Sequence, residues 1–167
     1  MNIDNLSSKI VAHTMKGDWI TCKKVMESIF AEESKLEIIA ELINRLPNTA
    51  FELFFLNGLS YISQMEAHQF KNLFSLLKAN PLGMYNLERF FVGYGGITRK
   101  DFSDMVGNLD YSATCDVDEK SISENNLANV RIMSRDEYTK MMCVHYDVPI
   151  DHVVAFHEKL KSLKEKQ

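Results

Sequence analysis

The sequence predicts a mainly α protein: stacked helical hairpins, α-solenoid-like or a compact bundle, followed by a small C-terminal β-hairpin plus two-helix extension. Three observations carry this prediction. Helix-start residues recur at nearly even spacing, at Asp4, Asp18, Ser34, Thr49, Ser63, Asn80 and Thr98. Overlaying them aligns apolar residues about 31 positions apart. The columns are Ile20, Phe51, Leu82; Val25, Leu56, Leu87; Ile39, Phe70, Phe102; Leu42, Leu73, Met105; and Leu46, Leu77, Leu109. After Leu109 the periodicity gives way to a polar, acidic stretch.

A period of this size marks helix–turn–helix units, each of which needs a neighbour to cover its apolar face. A compact, non-repeating bundle gives the same columns if its helices merely share a length. The W…L-G…Y consensus of tetratricopeptide repeats is missing, so the resemblance is to helical-hairpin arrays as a class.

Each helix start has a chemical reason. Ser34 with Glu37, Thr49 with Glu52, Ser63 with Glu66 and Ser134 with Glu137 fit the capping box, in which the hydroxyl accepts the N3 amide and the acid reaches back to the cap amide. Thr98 with Asp101 is a weaker version. Asn80 precedes Pro81 at N1, where a missing N–H costs nothing. Gly17 and Gly93 sit where C′ glycines would end the first helix and the one before the glycine-rich loop. These signals predict helices at 4–16, 18–31, 34–46, 49–62, 64–78, 81–92 and 98–109.

The helix from 49 is apolar on nearly every side (Phe51, Leu53, Phe54, Phe55, Leu56, Leu59), the pattern of a central, buried helix. Its neighbours carry partial stripes, such as Leu36, Ile39, Leu42 and Ile43. The domain division falls between 1–109, the helical-hairpin part, and 110–167, the extension. Within the extension Tyr111–Val117 and Leu127–Met133 read as a hairpin joined by Asp118–Asn126, and helices follow at 135–146 and 149–164. Residues 110–137 hold seven acids and three bases, a local charge of −4 that equals the net charge of the 167-residue chain, 19 minus 23.

Composition narrows the function classes. At 46% apolar and 25% charged the chain is ordinary for a globular domain, and its acidic balance gives no electrostatic footprint for nucleic acid or an acidic membrane. Cys22, Cys115 and Cys143 are odd in number and far apart, which speaks against a disulfide framework or zinc knuckle. No apolar run nears the roughly 20 residues of a membrane span, and the N-terminal stretch has no apolar core of a signal peptide. A reducing, cytoplasmic setting is expected.

Four places carry reactive groups. Gly93, Tyr94, Gly95, Gly96 and Ile97 lead into the helix at Thr98, with Arg99 and Lys100 in its first turn. Such a loop suits an anion or an acidic partner side chain, or simply forms a tight corner. The acidic group Asp116, Asp118 and Glu119 suits a basic partner; with Lys120 next at the third ligand position it breaks the EF-hand pattern. Cys143, His145, Asp147, Asp151, His152 and His157 supply metal-ligand and triad residue types. On helices, however, residues two apart differ by about 200° and residues five apart by about 140°, so neither pair clamps a metal. No metal, cofactor or catalytic residue is assigned. The last two helices resemble a helix-turn-helix, but Asp151 and His152 occupy the start of the would-be recognition helix, where a DNA reader needs Arg, Asn or Gln.

These readings favour a non-enzymatic protein-binding module, an adaptor or inhibitor with another protein as partner. Nucleic-acid binding through Arg99, Lys100 and a stacking Tyr94 is the alternative, followed by an enzyme built on the C-terminal His/Cys/Asp set.

Overall fold

A computed structural model describes residues 2–107 and 134–165. They form helices α1 (Ile3–Lys16), α2 (Trp19–Phe30), α3 (Lys35–Arg45), α4 (Asn48–Asn57), α5 (Leu59–Ile62), α6 (Ala67–Leu77), α7 (Pro81–Gly95), α8 (Arg99–Val106), α9 (Arg135–His145) and α10 (Ile150–Glu165). The protein is mainly α, and no strand occurs among the described residues. The hairpin expected across 111–117 and 127–133 lies outside them.

Several helix starts rest on the side chains that the sequence marks. Asp18 accepts the Thr21 amide at 3.2 Å, Asn80 the Gly83 amide at 3.2 Å, and Ser134 the Glu137 amide at 3.2 Å. The expected weaker version is a complete capping box: Thr98 Oγ1 accepts the Asp101 amide at 3.1 Å, and Asp101 returns a carboxylate to the Thr98 amide at 3.1 Å. Three expected caps are corrected. Ser34 makes no side-chain cap bond, α4 begins at Asn48 straight after Pro47, and Ser63 is buried at the end of α5. The α6 start belongs instead to Glu66, whose amide donates to Gln69 Oε1 at 2.8 Å. Likewise Asn2, rather than Asp4, caps α1.

The single helix expected over 49–62 is divided at Gly58. A Cβ at that position would stand 2.2 Å from Met26 Cε, so the missing side chain lets α2 press against the backbone where α4 gives way to α5.

Packing places α4 in the middle, against α1, α2 and α5. The second helices of the expected units lie side by side, α3 on α6 and α6 on α8, while α7 packs on α3, α6 and α8. Four of the five apolar columns are buried in all their described members. The fifth is not. Phe51 is buried, but Ile20 is 69% exposed and Leu82 63%, because each stands at the start of a surface helix whose opposite side meets the core.

One hydrophobic cluster extends from Leu6 to Leu163. The last helix, α10, lies on α5, α7 and α8 and sends Phe156 and Leu160 fully inside. Phe156 meets Phe91 edge-on at 5.3 Å and Phe90 at 5.8 Å, and Lys164 pairs with Asp101 of α8 at 3.2 Å. Replacing Phe156 by Ala is expected to lower stability by about 3–5 kcal/mol in one cooperative urea transition. A biphasic transition would show that α10 melts apart from the rest.

Candidate functional site

Glu52 is the one charged residue between Arg45 and Glu66. It belongs to the most apolar helix in the chain, and a carboxylate there needs an opening to water or a partner. The opening is a cleft of about 360 Å³ where α4, α7 and α9 meet. From α4, Asn48, Phe51 and Glu52 line it at i, i+3, i+4 spacing, which places them on one helix face. From α7 come Asn86, Arg89, Phe90, Gly93 and Tyr94, again one face, and Tyr138 of α9 borders the same space.

The polar groups of the cleft are tied by one chain of contacts. The Tyr94 hydroxyl donates to Glu52 Oε1 at 2.5 Å, and Tyr138 borders the same space. Burial, with the Glu52 bond and charge behind it, pushes the Tyr94 phenol far above its ordinary range. The Tyr138 phenol is raised too, again by burial first and by the Glu52 charge second. Both phenols therefore remain protonated at neutral pH and act as hydrogen-bonding groups. Arg89 extends over the Tyr85 ring, with its guanidinium carbon 5.8 Å from the centroid.

The glycine-rich stretch has a different form from the expected loop. Gly93, Tyr94 and Gly95 continue α7, which ends at Gly96 with φ 69°. Helix continues here because Tyr94 packs inward on Phe90, at 5.1 Å between centroids. A Cβ on Gly95 would lie 2.2 Å from Leu160 Cδ1, and the His157 ring lies over Gly96, so these two glycines let α10 approach α7. Gly93 differs: among the described residues no atom outside its own helix backbone comes within 4 Å of where a Cβ would stand.

Arg99 and Lys100 do not converge on this turn. Arg99 Nε donates to Glu88 Oε1, on a carboxylate only 2% exposed, while Lys100 is exposed. Tyr94 is 3% exposed, which leaves no ring face for a base to stack on. Asp116, Asp118 and Glu119 lie outside the described residues.

The C-terminal reactive set disperses. Cys143 is buried, and His145 is exposed, with its ring 4.6 Å from that of Tyr146. His152 borders a groove beside Ser60 and Ser63, away from His157 at Gly96. Asp147, at φ 55°, accepts Lys23 Nζ on its backbone carbonyl at 2.9 Å. Among the described residues no group of three or more His, Cys, Asp or Glu side chains is placed to hold a metal. Burial pushes the Cys22 thiol up to about 11 and raises that of Cys143, the opposite of what activates a thiol nucleophile.

Among the described residues no helix is long and apolar enough to cross a membrane. Comparison of the chain with protein-family models, with curated proteins and with solved structures finds no match.

Of the cleft residues, Gly93 and Tyr94 were singled out from sequence, but for a phosphate-type loop. Glu52, Arg89 and Tyr138 were missed because they are far apart in the chain. The one available signal was a lone acid inside an otherwise uncharged run.

Two outcomes are expected. In urea denaturation Gly93→Ala stabilises the protein by about 0.5–1 kcal/mol, the helix-interior gain over glycine, whereas Gly95→Ala destabilises it by about 1–3 kcal/mol through overpacking on Leu160. In iodoacetamide labelling at neutral pH, read peptide by peptide, Cys22 and Cys143 stay largely unmodified in the native protein and react fully in denaturant. Fast native labelling of either would contradict its burial.

Proposed function

We propose that the protein is a non-enzymatic protein-binding module, an adaptor or inhibitor that acts by occupying a partner's surface through the corner between α9 and α10. The observation that carries this reading is a strip of exposed apolar side chains. Val144 is 85% exposed, and Met141, Ile150 and Val154 are exposed as well. Met141 and Val144 lie three apart on α9, and Ile150 and Val154 four apart on α10, so each pair shares a helix face. Val144 and Ile150 border one groove of about 510 Å³, together with Val148 and Pro149, which joins the two pairs into a strip.

Contiguous exposed apolar surface of this sort marks interaction sites in folded proteins. Lys140 and Asp147 border the same groove, Asp147 Oδ2 lying 3.8 Å from Lys23 Nζ, and Asp151 is exposed beside Ile150. The chemistry the strip fits is a partner segment with apolar side chains and a basic residue set toward Asp151. The side-by-side row α3, α6 and α8 is read as the trace of a helical-hairpin array, the architecture that suits such a module.

A photoreactive amino acid at position 144 and purified candidate partners test this reading. One heterologous partner should crosslink there, and its measured affinity should fall at least about tenfold, or 1.4 kcal/mol, in Val144→Glu. Binding unchanged by Val144→Glu would overturn the assignment. So would a concentration-dependent homodimer abolished by the same substitution, because the strip would then be a self-association face.

A further inference from the structure

The cleft between α4, α7 and α9 presents two opposite charges that are not joined to each other. Among the described residues no ion pair involves Glu52 or Arg89. Glu52 accepts one hydrogen bond, from Tyr94 on Oε1, which leaves Oε2 open to a further donor. A carboxylate with a free oxygen favours an organic ammonium group, with which it makes charge-assisted hydrogen bonds. Arg89, on the α7 wall, is the complementary partner for a carboxylate, which it binds bidentately.

Gly93 supplies an independent observation. It lies inside α7, three residues from its C-cap, and its φ is not positive. Among the described residues no neighbour within 4 Å requires a small residue there. Neither backbone conformation nor packing among the described residues accounts for a glycine that weakens the helix. An occupant of the cleft does, because a bare backbone lets a ligand lie closer to α7. The cleft volume of about 360 Å³ falls in the range of small-molecule sites, about 300–1,000 Å³.

We propose that this cleft binds a small zwitterion of the amino-acid class, with its ammonium on the Glu52 carboxylate, its carboxylate on the Arg89 guanidinium and its side chain over the Gly93 backbone. The site is separate from the α9–α10 strip, and either assignment stands without the other.

The test uses the full chain, titrated with each proteinogenic amino acid and read by amide chemical shifts and calorimetry. At least one should give saturable shifts centred on α4 and α7. The decarboxylated amine and the deaminated acid of that ligand should each bind at least about tenfold more weakly. Glu52→Gln, which keeps an acceptor for Tyr94, should weaken the amino acid and the amine but not the acid. Arg89→Gln, a change at an exposed position, should weaken the amino acid and the acid but not the amine. Gly93→Leu should block all three while the protein stays folded, since its Cβ meets open space.

The proposal is overturned if no amino acid gives saturable shifts, or if the shifts map away from the cleft. It is also overturned if the amine alone binds as tightly as the amino acid, or if Glu52→Gln and Arg89→Gln both bind like the wild type.

Discussion

The structure depends on enclosing α4. Apart from the side carrying Asn48, Thr49 and Glu52, its surface is apolar and needs cover, and each large side chain buried this way contributes roughly 1.5–3 kcal/mol. Helices α1, α2 and α5 pack directly on it, and the ring of Phe90 reaches it from α7. Glu52 is the exception to that apolar surface, and the cleft forms where it stands. A single charge in the wrong company thus accounts for where the interior opens.

A second consequence is the aromatic network outside α4. Phe70, Phe74, Phe91, Phe102 and Phe156 touch one another in mostly edge-to-face pairs between 5.3 and 6.4 Å, an arrangement worth more than area alone. It joins the consecutive helices α6, α7 and α8 to α10, which is distant in sequence. The glycines at 95 and 96 belong to this joint, because side chains there would hold α10 away from α7.

Helix α9 relates the two proposed sites. Tyr138 meets the Glu52–Tyr94 pair at one end, and Tyr146 meets Trp19 edge-on at 5.2 Å at the other. Between them Met141 and Val144 face outward. The same short helix therefore borders the cleft and carries half of the apolar strip.

The sequence by itself determined which segments are helical, because periodicity of apolar residues and local caps such as Asp18, Asn80, Thr98 and Ser134 act within a few positions. It also determined that the helix from 49 is buried. Caps at Ser34, Thr49 and Ser63 were misleading, since a motif reports what a side chain is able to do, while the preceding backbone decides where a helix begins. Only the tertiary structure decided that Gly93 to Gly95 are helical, that Ile20 and Leu82 face water, and that Arg99 is committed to Glu88. The cleft was likewise decided there. Glu52 and Tyr94 are 42 positions apart, and their hydrogen bond arises from helix packing that no local spacing encodes.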